Sequence, residues 1–169
     1  LGYMAKIEPE FARRGTRILA ISTDPVEGSA RWSADIATTH GAEVDYPIVA
    51  DTDHAISKAY GMLPPEVDGD PTARTPAQNA TLRNVFVISP DKRIALVLIY
   101  PMTTGRNFDE VLRVLDALQL TAERQLATPA QWQPGEPAII SGSVSDEQAR
   151  ERFPAGWDRP LPYMRVVSP

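Results

Sequence analysis

Two arginines stand where a guanidinium is costly without an anion to meet it. Arg83 lies inside the apolar run from Leu82 to Ile88, and Arg106 lies in Thr103-Thr104-Gly105-Arg106-Asn107, between a second apolar run and the expected start of a helix. Burying a charge in an apolar strand is expensive unless an opposite charge compensates it. A helix start offers backbone N–H groups and positive potential to the same kind of ligand. Taken singly, each arginine reads as a structural ion-pair residue; taken together, they point to an anionic or polarised centre.

Other chemistry-bearing residues carry less. Asp51-Thr52-Asp53-His54 offers too few oxygen ligands at too irregular a spacing for a hard cation, and helix capping explains it better. Ser141-Gly142-Ser143 lacks the Gly-x-Ser-x-Gly frame of a nucleophile elbow. Asn79-Ala80-Thr81 matches a short glycosylation pattern without a secretory leader to support it. His40, just before Gly41, suits the negative end of a helix. The 169 residues contain no cysteine and two histidines, so disulfides, thiolate metal sites, iron–sulfur clusters and thiol catalysis are excluded within these residues. Seventeen basic against 22 acidic side chains, a net charge of −5, argue against nucleic-acid and anionic-membrane surfaces, which need clustered cations. No apolar run approaches the ~20 residues of a membrane helix. The expectation is a soluble, cytoplasmic chain with no membrane anchor.

The elements that must position these residues follow from periodicity and turn chemistry. Met4, Ile7 and Phe11 form one helical stripe, closed by Arg13, Arg14 and Gly15, with nothing ahead of it to cap it. A buried strand is expected over 16–22. Asp24 as N-cap and Pro25 at the first helical position open a helix that carries Trp32 and Ile36 on one side and ends near Gly41. A short strand over 47–50 precedes a helix begun by Asp51-Thr52-Asp53 and stopped at Gly61. Residues 64–80 hold four prolines and read as an irregular loop. Leu82–Ile88 and Arg93–Tyr100 form two β-rich runs joined by Ser89-Pro90-Asp91-Lys92, both apolar enough to predict cover on both faces. Asn107 caps a helix striped by Phe108, Val111, Leu112, Leu115 and Leu118. Beyond Ala127, prolines punctuate short elements: strands at Ala138–Ser141 and Met164–Val167 and a helix at Asp146–Arg152. Such a tail is expected to lack a core of its own and to dock on the first domain or on a neighbouring subunit. The class is α/β, a mixed sheet flanked by helices.

The run from Tyr100 to Arg113, Tyr-Pro-Met-Thr-Thr-Gly-Arg-Asn-Phe-Asp-Glu-Val-Leu-Arg, resembles the hallmark segment of the one-cysteine peroxiredoxins, the peroxiredoxin 6 type. Ile21-Ser22-Thr23-Asp24-Pro25-Val26-Glu27, Trp32-Ser33, Asp35-Ile36, Leu118–Glu123 and Ala127-Thr128-Pro129-Ala130-Gln131-Trp132 extend the likeness along nearly the whole chain. The resemblance implies a thioredoxin-like core over residues 1–122 and a C-terminal dimerisation extension over 123–169. It also implies reduction of hydrogen peroxide and organic hydroperoxides by a peroxidatic cysteine in a Pro-x-x-x-Thr-x-x-Cys segment, regeneration by a thiol reductant it does not specify, a homodimer, and no cofactor or metal. Arg83 and Arg106 match the family's arginines and would stabilise thiolate and developing alkoxide.

The chain departs from that pattern at its first residue. In relatives the cysteine is followed by two threonines, a glutamate and Leu-Gly, so Leu1-Gly2 falls just past the nucleophile. The expectation is a chain truncated after the cysteine segment, lacking its N-terminal strands and inactive by itself. The apolar faces of 18–21 and 85–88 would then lack a neighbour. A non-catalytic dimeric scaffold or holdase is the alternative. Nothing in these residues supports the lipid-hydrolysing activity of some relatives.

Overall fold

The computed structural model describes residues 1–63, 75 and 81–168. The proline-rich loop expected over 64–80 lies, apart from Thr75, outside the described residues. Two compact units make up the chain, Leu1–Phe108 and Asp109–Pro169.

In the first unit, α1 (Gly2–Arg13) ends where expected, and no side chain caps its start. Phe11 is its most buried apolar residue, while Arg14 folds back so that its guanidinium donates to the Glu10 carbonyl at 2.8 Å. Helix α1 packs on α2 (Val26–His40). The contact is tightest at Gly2, where a Cβ would stand 2.4 Å from Cγ of His40. Glycine is therefore required there by close approach. Helix α2 terminates through Gly41 at φ 65°, a left-handed conformation that glycine adopts without strain.

The start of α2 differs from the expectation by one residue. Pro25 occupies the N-cap, and the Asp24 carboxylate instead accepts from the Ser22 hydroxyl at 3.0 Å. The local Ser–Asp turn outcompetes the cap. Ile36 is buried, but Trp32, expected on the same side, is largely exposed.

Strands β1 (Ala20–Ser22) and β2 (Ile48–Ala50) pair in parallel, Ala20 opposite Ile48. Strand β1 is shorter than the apolar run predicts, since its partner offers only three residues; Leu19 remains 61% exposed. The chain then enters α3 (Ala55–Ala59) through Asp51, whose carboxylate accepts from the backbone N–H groups of Ile56 at 2.9 Å and Ser57 at 2.7 Å. Asp53 accepts from Ala55 N–H at 3.1 Å. Both acids cap the helix, as their spacing predicts.

Strands β3 (Arg83–Ile88) and β4 (Ile94–Tyr100) form the expected antiparallel hairpin. Lys92 N–H donates to the Ser89 carbonyl at 2.9 Å, placing Pro90 second in the turn. The predicted cover on both faces is not found. Ile94, Val97 and Ile99 are exposed, Ile99 by 62%. Among the described residues β3 and β4 bond only to each other, so β4 is an edge. The α/β core of this unit thus carries its strands in a parallel and an antiparallel pair.

The second unit holds nearly all of α4 (Phe108–Arg124), with Val111, Leu115 and Ala117 buried. It also holds α5 (Asp146–Arg152) and a four-stranded antiparallel sheet. That sheet runs β5 (Leu126–Ala127), β6 (Ala138–Ile140), β8 (Met164–Val167), β7 (Asp158–Leu161). Elements β6, α5 and β8 fall where the sequence puts them; β5 and β7 were not anticipated. The expectation that this tail lacks a core is wrong. Leu126, Ala138, Ile140, Val144 and Ala149 form a buried cluster, with Leu120, Phe153, Trp157 and Val167 packed against it. Antiparallel pairing of short strands gathers side chains too scattered in sequence to read as a core. Arg165 adds a polar tie, donating to Asp146 at 2.7 Å and to the carbonyls of Ser141 and Val144 at 3.1 and 2.7 Å.

Candidate active site

Three segments of the first unit meet around a cavity of about 370 Å³: the first turn of α1, the start of β3, and the loop from Met102 to Phe108. Arg83 begins β3 opposite Tyr100, so strand pairing carries it to the end of the hairpin where the chain leaves for Met102. Its Nε donates to the Met102 carbonyl at 3.4 Å. Arg106 follows from the other end of the same loop. Both predicted site residues line the cavity, with Thr103 and Thr104 between them.

One part of the expectation is corrected. Arg83 is exposed rather than buried, because it stands at the mouth of the strand and not within it. Arg106 is the more enclosed of the two. Burial, and then the positive charge of Arg83, hold its guanidinium below the ordinary arginine value, while Tyr46 acts in the opposite sense. Among the described residues, neither arginine forms an ion pair with a carboxylate. Two cations thus face one cavity, and among the described residues no carboxylate pairs with either. Such an arrangement stabilises negative charge arriving from elsewhere.

The head of α1 joins the same field. Tyr46 is buried and donates its hydroxyl to the Leu1 carbonyl at 3.4 Å. Burial raises this phenol above its ordinary value, with Arg106 pulling the other way. Amide donors of a helix start and two guanidiniums favour the charged form of an anion or a thiolate.

Aromatic rings complete the site. Tyr3 stacks on Phe108 with centroids 6.3 Å apart and planes at 22°. The Arg106 guanidinium carbon sits 5.2 Å from the centre of the Phe108 ring, a cation–π distance that steadies the charge over the cavity. Sequence reasoning missed Tyr3 and Tyr46. Tyr3 stands one place before Met4 of the apolar stripe and Tyr46 just before Pro47, and neither position signals a site.

The remaining candidates lie elsewhere. His40 ends α2 against Gly2. His54 and Asp51 are buried around α3, where burial tends to raise the Asp51 carboxyl, but hydrogen bonding from Ser57 and Ile56 and the influence of His54 hold it below the ordinary value. Ser141 and Ser143 share a hydroxyl contact of 2.9 Å in the turn after β6, and Asn79 and Ala80 lie outside the described residues.

Comparison with known proteins bears on the same segments. Residues 1–97 match the AhpC/TSA family, and residues 117–156 match the C-terminal domain of 1-Cys peroxiredoxin. The chain is 49% identical over 162 residues to a probable 1-Cys peroxiredoxin of Syntrichia ruralis, covering 94% of this chain and 71% of that protein. Its fold is similar to that of a cysteine-to-serine mutant of the peroxiredoxin 6 of Arenicola marina, with a TM-score of 0.85, 37% identity, and coverage of 99% and 76% of the two chains. It is also similar to a yeast mitochondrial 1-Cys peroxiredoxin, with a TM-score of 0.84, 36% identity, and coverage of 99% and 78%; that structure concerns thiol resolution via glutathione and thioredoxin systems.

Proposed function

Since the chain belongs to the AhpC/TSA family of peroxiredoxins, a family of thiol peroxidases, we propose that its cavity is the arginine side of a site that reduces hydrogen peroxide and organic hydroperoxides. The observation that carries this reading is the meeting of Arg83, Arg106 and the first turn of α1 at one cavity, with neither arginine paired to a carboxylate among the described residues. In the proposed step a thiolate attacks one peroxide oxygen. The S–O bond forms as the O–O bond breaks, sulfur is oxidised by two electrons to a sulfenic acid, and the other oxygen leaves as alkoxide or hydroxide and takes up a proton. Arg83 and Arg106 stabilise the thiolate before the step and the leaving oxygen during it. A thiol reductant then condenses with the sulfenic acid, releasing water, and a second thiol reduces the disulfide so formed.

The sulfur is not among these 169 residues, which hold no cysteine. The chain alone is therefore expected to leave peroxide unconsumed. The test compares the chain with a form joined behind a cysteine-bearing segment of the kind the resemblance implies, assayed with dithiothreitol as reductant. Turnover only in the joined form supports the reading; turnover by the cysteine-free chain, or none by either form, overturns it.

A homodimer through the C-terminal extension is part of the proposal. It is favoured by the β7–β8 turn, where Tyr163 is 84% exposed beside the exposed Leu161. Tyr163→Ser is expected to shift sedimentation toward monomer; an unchanged dimer would place the interface elsewhere. A cytoplasmic location is likewise proposed, and among the described residues no helix is long and apolar enough to cross a membrane.

A further inference from the structure

We infer that Tyr46 is a positioning residue for the peroxidase reaction, its hydroxyl holding the head of α1 in place beside Arg106. The inference rests on the peroxidase reading and adds to it a residue that acts through others.

The connection from α2 to β2 grips the first turn of α1 at two points. At its start, the His40 ring lies so close to Gly2 that a Cβ there would stand 2.4 Å from Cγ. Near its end, the Tyr46 hydroxyl donates to the Leu1 carbonyl at 3.4 Å. Packing limits how near the helix can come; only the hydrogen bond is directional and constrains where the Leu1 carbonyl points. That carbonyl also accepts from Ala5 N–H at 2.9 Å, the bond on which α1 starts, and its two lone pairs allow both. Both grips are on the backbone of one helical turn, and neither depends on open space.

Tyr46 is held independently of α1. A residue before proline is biased to an extended backbone, and the Pro47 carbonyl accepts from Ala20 N–H at 3.0 Å, next to the pairing of Ala20 with Ile48. The Tyr46 residue is 7% exposed, so its hydroxyl sits on a rigid, buried ring. A buried hydroxyl is costly without a partner. This one reaches 45 positions back along the chain to find it.

The same phenol faces Arg106. Arg106 draws the phenol down against its burial, and Tyr46 draws the guanidinium up against its own. One oxygen thus ties together the two sources of positive potential in the site, the helix head and the guanidinium. Stabilisation of this kind requires its dipoles to be in place before charge develops. A shift of about 1 Å, caused away from the reacting atoms, can cost on the order of 10²-fold in rate.

The experiment uses the cysteine-bearing form, in which residues ahead of Leu1 keep α1 from fraying as a chain end. Tyr46→Phe keeps the buried ring and removes only the hydroxyl. Thr38→Val is the control, since the Thr38 hydroxyl donates to the Ala34 carbonyl at 3.0 Å on an exposed stretch of α2. Tyr46→Phe is expected to lower kcat/KM for hydrogen peroxide by about 3- to 10-fold, the weight of one hydrogen bond. It should also move the acid limb of the pH–rate profile upward by about half a unit, because a weaker field at the sulfur raises the thiol pKa. Amide hydrogen exchange at Ala5 should quicken by about 3- to 10-fold, with the far end of α1 unchanged. An unmoved pH profile, unmoved exchange at Ala5, or an equal effect from Thr38→Val overturns the inference. Absence of all turnover in the parent form refutes the peroxidase reading, while exchange at Ala5 still decides whether Tyr46 holds the head of α1.

Discussion

Arg106 and Arg83 differ in what surrounds them, and their substitutions should differ accordingly. Arg106 is the more enclosed, rests on Phe108, and has its charge opposed by burial and by Arg83. Arg83 is exposed and held by one long bond to Met102. In the cysteine-bearing form, Arg106→Ala is expected to lower kcat/KM on the order of 10²-fold, the usual effect of removing one preorganised donor to a developing oxyanion. Arg83→Lys should fall short of that but still slow the reaction, because lysine keeps the charge and loses the planar fork. Equal rates for Arg83→Lys and the parent would remove Arg83 from the site. At Gly2 the prediction concerns packing. A Cβ 2.4 Å from His40 must displace the ring, so Gly2→Ala should cost about 1–3 kcal/mol in urea unfolding. Adding His40→Ala should recover most of that loss; no recovery would show that the contact is not the cause.

The short helix α3 depends on one buried carboxylate. Asp51 is 2% exposed and accepts from two backbone N–H groups. Its folded-state value lies below the ordinary one, so its contribution to stability is present in full above the unfolded aspartate value, ~3.9. That contribution is lost as pH falls through the folded value. Stability measured by urea titration should therefore decline below about pH 4, and Asp51→Asn, which presents an amide donor to N–H groups, should lose about 1–3 kcal/mol at neutral pH. The variant should also show a shallower acid decline. A variant with the parent's acid slope would transfer that pH dependence to other carboxylates.

Across the whole molecule, the second unit has its own sheet and its own core. Ile140 is 2% exposed at the centre of that cluster. Truncation to alanine is expected to cost about 2–5 kcal/mol. Amide hydrogen exchange should locate the loss: protection should fall in β5, β6 and β8 while the β3–β4 hairpin of the first unit keeps its own. Uniform loss of protection in both units would show that the two unfold as one cooperative block.

Local features of the sequence determined the hairpin turn at Ser89–Lys92, the glycine stop after α2, the acid caps of α3 and the bounds of α5, and they singled out the two arginines that line one cavity. These are legible because turn chemistry, capping and helical period act within a few positions. Short-range competition moved the α2 cap by one residue, since Ser22 holds Asp24. Tertiary structure alone decided the rest. It put Arg83 at the exposed end of its strand, left one face of β4 uncovered, gathered Leu126, Ala138, Ile140, Val144 and Ala149 into a core, and brought Tyr3 onto Phe108 from the far end of the first unit. Burial and strand pairing depend on which distant segments meet, and no local period records that meeting.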